Sequence, residues 1–291
     1  RGLGDVYKRQ PDDMAEFARQ ARVRILEAVK HAGGGHVGGP YSASDMLAAL
    51  YFGIMNVRPD EPDWPDRDRF ILSKGHSSIA LYTMLALRGY FPVEELLTFD
   101  SINSRLQGHP DMTVTPGVDM SSGSLGLGFA GALGIALGAR AEGRDFTTYV
   151  MLGDGECNEG VVWEGAHVAA RYKLANIVAI VDHNKLLQFG WTGESLSDRI
   201  TPYTDTQLAD RWRAFGWEVM EMDGHNIPGV LETLAAARDF EGGPVAVIAH
   251  TIKGKGVSYM EGDYTWHSKV PNDEEFALAM EELGETEGGA A

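Results

Sequence analysis

The sequence predicts an α/β protein built on a doubly wound, mostly parallel sheet with helices on both faces. Three observations carry that prediction. Strand-like and helix-like stretches alternate from Phe70 onward. The run 177–181 is unbroken apolar, as a strand covered on both faces should be. Glycine makes up 36 of 291 residues, where roughly 7% is usual, and the glycines cluster between the expected elements.

A helix is expected from Asp13, which makes a capping-box-like pair with Glu16; Met14, Ala18, Ala21, Ile25 and Val29 then recur at helical spacing. A second is expected from near Ser42 through Met46, Leu47, Leu50 and Ile54, followed by a Pro- and Asp-rich loop over 56–68. A short strand at 70–72 and a helix at 77–88, closed by Gly89, come next. The apolar stretch 125–139 is shorter than the roughly 20 residues that span a bilayer. Its Gly126, Gly128, Gly131, Gly134 and Gly138 suit a buried, tightly packed helix. Strands at 147–152, 177–181, 217–222 and 245–249 alternate with helices at 160–172, 207–215 and 228–238, and an acidic helix at 273–283 closes the pattern. No internal repeat or flexible linker interrupts it, so residues 11–291 read as a single domain. Residues 1–10 lack periodicity and an initiator Met and are expected to be a non-native leader.

Composition excludes several classes. With 23% charged and 44% hydrophobic residues the chain is not disordered. Its net charge of −17 repels phosphate backbones and anionic lipid, which argues against nucleic acid or membrane as a main partner. A single Cys157, unable to form an internal disulfide, and a first fifty residues without an apolar secretory segment point to the cytoplasm.

Ligands of such sheets bind beyond the carboxyl ends of the strands. One strand runs into GDGECNEG, with Asp154 and Gly155, and another into DHNKLL, with Asn184 and Leu186. If these strands are near neighbours, Asp154 and Asn184 emerge at one edge. A carboxylate, an amide oxygen and a main-chain carbonyl are hard ligands suited to Mg²⁺ or Ca²⁺, and Mg²⁺ commonly completes its octahedron with phosphate oxygens. Glycines beside Asp154 let a backbone N–H approach a diphosphate. Gly-Asp-Gly alone is ordinary turn chemistry. The strand before it, the helix after it and the Asn ending a second strand favour a metal–diphosphate site.

GDG followed about thirty residues later by Asn resembles the motif of thiamine-diphosphate enzymes, and the other landmarks resemble the N-terminal, diphosphate-binding part of transketolase. They are GGGHVGGP with His36, RFILSKGH with His76, QGHP with His109, SSGSLGLG with Gly123 and Leu125, TIKGKG with Lys253, and TWH with His267. Order and spacing match from about residue 12 to 285. The resemblance implies the thiamine diphosphate-binding fold known as the PP module and thiamine diphosphate held through Mg²⁺, with Ca²⁺ or Mn²⁺ as substitutes. The implied metal ligands are Asp154, Asn184 and the carbonyl of Leu186. Gly155, Asn184, His76 and Lys253 are the implied contacts on the diphosphate side, and Gly123 and Leu125 those against the cofactor rings. His36, His109 and His267 match histidines that line the substrate channel, where they bind sugar hydroxyls and assist proton transfers, with His267 also an implied cofactor contact; Glu159 matches a glutamate in a proton network at a dimer contact. The implied reaction passes a two-carbon ketol unit from a ketose phosphate to an aldose phosphate.

Two departures stand out: Val37 where the family often has Pro, and Leu127 where it often has Gln. Full transketolases run about twice as far, adding pyrimidine-binding and C-terminal domains. The resemblance therefore implies the N-terminal subunit of a split transketolase, which works with a separate C-terminal subunit in a heterotetramer. The stretch 125–140 and the helix 159–172 are expected at the interface. Alternatives are a deoxyxylulose-phosphate synthase-like enzyme, the alpha subunit of a 2-oxo-acid dehydrogenase, a transketolase paralogue for an unusual sugar, and a non-catalytic paralogue.

Overall fold

The computed structural model describes residues 10–188 and 205–285. Five strands, β1 (Arg69–Leu72), β2 (Thr148–Gly153), β3 (Ile177–His183), β4 (Glu218–Asp223) and β5 (Val245–His250), form one all-parallel sheet in the order β1-β2-β3-β5-β4. The helices are α1 (Pro11–Ala32), α2 (Gly38–Ala49), α3 (Ser78–Arg88), α4 (Leu127–Ala141), α5 (Gly160–Tyr172), α6 (Asp205–Ala214), α7 (Ile227–Asp239) and α8 (Asp273–Glu282). Alternate side chains of each inner strand enter different cores. Tyr149 and Met151 pack with residues of α1, α2, α3 and α7, whereas Val150 and Leu152 pack with residues of α4, α5 and α6. All seven residues of β3 are buried, which explains its unbroken apolar run. Burying each such apolar side chain stabilises the fold by roughly 1.5–3 kcal/mol, so the central strands anchor whatever their ends carry.

Among the boundaries that differ from expectation, three have a local reason. Helix α1 starts at Pro11, a residue preorganised for a first helical turn. Its capping box joins Gln10 and Asp13, and Glu16 instead bonds Arg19. Gln10 thus belongs to the helix start, while residues 1–9 lie outside the described residues. Helix α2 starts at Gly38 rather than near Ser42, and the Ser42 hydroxyl is not a cap: it donates to the Asp182 carboxylate at 2.6 Å. Helix α4 starts at Leu127 because Gly126 has φ +82°, a left-handed conformation that ends helical continuity.

The expectation of a buried, tightly packed helix over 125–139 holds for one side of α4 within this chain. Gly126, Gly128 and Gly131 are packed so closely that a Cβ on any of them would meet a neighbouring atom. Gly134 and Gly138 have open space where a Cβ would stand, and Leu127 is 52% exposed. One face of α4 is therefore uncovered in this chain. Among the described residues no helix is long and apolar enough to cross a membrane.

Candidate active site

Strands β2 and β3 are direct neighbours, with Gly153 opposite Asp182, so the chain segments carrying Asp154 and Asn184 leave the sheet side by side. The main chain ties them further. The Asp154 N–H donates to the Asp182 carbonyl at 3.2 Å, and the Lys185 N–H donates to Asp154 Oδ2 at 2.7 Å. Lys185 sits at φ +64°, an uncommon conformation for a side-chain-bearing residue, and that second bond helps hold it there. Asn184 Oδ1 accepts from the Leu186 N–H at 3.1 Å.

Asp154 is 6% exposed. Two backbone N–H groups, of Gly155 and Lys185, meet its carboxylate, and no lysine or arginine among the described residues pairs with it. Burial, joined by the nearby negative charge of Asp182, pushes its pKa up to about 7. A buried carboxylate beside an amide oxygen and the Leu186 carbonyl is a donor set that fits a hard divalent cation. No group of three His, Cys, Asp or Glu side chains among the described residues gathers as a metal site, so such a cation would rest on this mixed oxygen set.

Lys253 reaches the same place from the segment after β5. Its Nζ donates to the Leu186 carbonyl at 3.2 Å and lies 3.1 Å from His267 Nδ1. An ammonium has only donors, so Nδ1 accepts and the neutral ring carries its proton on Nε2. The glycine-rich start of α2 docks onto this lysine: a Cβ on Gly38 would stand 2.8 Å from Lys253 Cγ, and the Gly254 N–H donates to the Gly38 carbonyl.

His36, His76 and His267 form a cluster with ring centroids 5.0–5.2 Å apart. Burial, followed by Lys74, lowers His76 to about 2; burial, followed by Lys253, lowers His267 to about 3; and His36 is lowered mainly by burial. All three are neutral at physiological pH and can exchange hydrogen bonds with hydroxyl groups.

The remaining candidates lie around this centre. Gly123 abuts the His76 loop, since a Cβ on Gly75 would stand 2.9 Å from the Gly123 N. His109 is exposed and packs beside Gly123, outside the three-ring cluster. Leu125 is half-buried just before α4, and Gly155 packs against Leu187, where a Cβ would come within 2.8 Å. Glu159 is exposed at the N-cap position of α5, with no side-chain capping bond.

Residues 14–287 match the protein family described as transketolase, thiamine diphosphate binding domain. The chain belongs to this family. The 6-deoxy-6-sulfo-D-fructose transketolase subunit of Clostridium sp. (strain MSTE9) is 42% identical over 96% of this chain and 98% of its own length. A subunit of the apulose-4-phosphate transketolase of Phocaeicola vulgatus is 42% identical over 91% of each chain. Among solved structures, transketolase from Leishmania mexicana superposes with a TM-score of 0.85 at 32% identity. That match covers 94% of this chain and 41% of the Leishmania chain. The chain is thus the N-terminal, thiamine diphosphate-binding part of a transketolase-type enzyme, of the kind found as a separate subunit.

Sequence reasoning passed over the buried polar residues beneath these loops. Lys74 and Asp182 pair at 2.5 Å, with Ser42 and Thr251 also donating to Asp182. Glu156 and Ser73 form a second buried unit. A signal was present: Lys74 follows the apolar run of β1 and Asp182 follows the apolar run of β3, where burial demands a partner.

Proposed function

We propose that this chain binds thiamine diphosphate through Mg²⁺ and, with a separate chain carrying the pyrimidine-binding half, transfers a two-carbon ketol unit from a ketose phosphate to an aldose phosphate. Asp154, Asn184 and the Leu186 carbonyl hold the metal, which Ca²⁺ or Mn²⁺ can replace. Gly155, Asn184, His76 and Lys253 meet the diphosphate, and Gly123 and Leu125 lie against the rings. One observation supports this reading: the segments carrying Asp154 and Asn184 leave adjacent strands side by side and are bonded to each other, while Lys253 joins the following Leu186 carbonyl to His267 of the histidine cluster.

When bound, thiamine diphosphate supplies the nucleophilic carbon that carries the two-carbon unit. The chain's own residues position and move protons. Lys253, fixed between Leu186 and His267, offers its third hydrogen to a phosphate oxygen. His267, its Nδ1 occupied, presents Nε2–H to a donor hydroxyl, and His36 takes or returns a hydroxyl proton. His109, outside the cluster, lines the approach of the sugar. Glu159, at the start of α5, belongs to a proton network across a contact with a second copy of this chain. Residues 11–291 act as one domain, and two such chains with two partners make a heterotetramer in the cytoplasm.

Both relatives at 42% identity are named for uncommon sugars, which favours a second reading at the level of substrate: a paralogue for an unusual ketose. Mixing the chain with its pyrimidine-binding partner, Mg²⁺, thiamine diphosphate, an aldose phosphate acceptor and a panel of ketose donors tests both. Ketol transfer is expected only in the mixture; transfer by the chain alone contradicts the need for a partner.

A further inference from the structure

Glu156 is 2% exposed and sits one residue beyond the GDG turn. Its carboxylate accepts three hydrogen bonds, each from a different stretch of chain. Ser73 Oγ donates to Oε1 at 2.5 Å, the Gly126 N–H donates to Oε1 at 2.7 Å, and the Gly153 N–H donates to Oε2 at 3.1 Å. Ser73 in turn accepts from the Phe129 N–H at 2.9 Å. A Cβ on Gly128 would stand 2.7 Å from Ser73 Cα, so the first turn of α4 lies directly on this serine.

The three donors are adjacent to the three loops that meet at the site. Ser73 precedes His76 by three residues, Gly126 follows Leu125, and Gly153 precedes Asp154. We infer that Glu156 is a positioning residue that clasps these loops together, setting the spacing between the diphosphate-side histidine, the ring-facing turn and the metal-ligating aspartate. The inference rests on the proposed thiamine diphosphate site. Glu156 itself touches no ligand, because both its oxygens are engaged and buried.

The geometry also explains why a carboxylate stands there. Three donors converge, and a deprotonated Glu is acceptor-only. A Gln keeps Ser73 and Gly126 on its carbonyl oxygen but must turn its NH₂ toward the Gly153 N–H, so that bond is lost and two donors face each other. Glu156→Gln therefore loosens the main chain immediately before Asp154 while the rest of β2 stays paired. Ser73→Ala removes one donor to Oε1 and the acceptor for Phe129.

The test is amide hydrogen exchange on the full chain, together with thiamine diphosphate titration of its complex with the pyrimidine-binding partner in Mg²⁺. In Glu156→Gln, exchange at Gly153 should quicken at least about 10-fold while Ala179 and Ile180 of β3 are unchanged. Cofactor affinity should fall about 10- to 100-fold, the usual effect of removing a group that orients ligands from behind. A Glu156→Gln variant that only melts earlier, with Gly153 exchange and cofactor affinity unchanged, overturns the inference. Should that variant fail to fold, Ser73→Ala carries the same two measurements, with faster exchange at Phe129 expected and unchanged exchange and affinity fatal. If the unmutated complex takes up no thiamine diphosphate, the proposed function fails, and exchange at Gly153 still decides whether the clasp exists.

Discussion

Lys74 and Asp182 form a buried ion pair, Nζ to Oδ2 at 2.5 Å, with side chains 3% and 0% exposed. Lys74 stands just beyond β1 and Asp182 near the end of β3, so the pair ties the His76 loop to the strand that delivers Asn184. Burial alone would raise the Asp182 pKa; Lys74, with Ser42 and Thr251, outweighs it and holds the carboxyl below its ordinary value.

Lys74→Met leaves Asp182 charged and uncompensated in the interior. Breaking one side of such a pair costs about 3–5 kcal/mol. Urea unfolding should show that loss, and the double variant Lys74→Met/Asp182→Asn should lose less than the sum of the singles. Additive losses would show that the two charges do not depend on each other.

The histidine cluster gives the chain an acid sensitivity whose direction is fixed. His76 and His267 are held at about 2 and 3, whereas unfolded histidine titrates near 6.5. Between about pH 6.5 and 3 the unfolded chain takes up protons that the folded chain refuses. Stability contributed by these neutral rings is therefore complete above about 6.5 and declines as the pH falls toward 3. Replacing both residues by Gln should flatten the dependence of the unfolding midpoint on pH in that interval. An unaltered slope would mean that the rings are solvated.

The open glycines of α4 separate packing within the chain from packing between chains. Nothing lies within 4 Å of a Cβ added at Gly134 or Gly138. Gly134→Ala and Gly138→Ala should each stabilise the isolated chain by about 0.5–1 kcal/mol, the helix-propensity difference. On a face that packs closely against a neighbouring chain, the same methyls should weaken assembly measured by sedimentation. Stabilisation without any effect on assembly would remove α4 from the interface.

Legibility in the sequence follows the physics of each element. The inner strands are readable because burial on both faces leaves β2, β3 and β5 as near-continuous apolar runs, and most helices because burial of one face imposes a period of 3.6 on apolar residues. The convergence of Asp154 and Asn184 follows from strand ends and their neighbourhood. Helix α4 misleads because a uniformly apolar, glycine-rich stretch carries no periodic contrast between a covered and an uncovered face. The Ser42 hydroxyl resembles a cap because Ser at a helix start usually is one; its partner Asp182 lies 140 positions away. Glu156 is hidden inside the very motif that draws notice to Asp154, since its three donors come from segments remote in sequence or masked by glycines.

The proposed chemistry depends above all on a divalent cation between Asp154 and Asn184 that holds the diphosphate. Calorimetric titration of thiamine diphosphate into the assembled complex, with Mg²⁺ or with chelator, and with Asp154 intact or replaced by Asn, tests it directly. Binding should depend on Mg²⁺ and fall by about 100-fold or more in Asp154→Asn. Equal affinity with and without metal, or an Asp154→Asn variant that binds as tightly as the original chain, would contradict it.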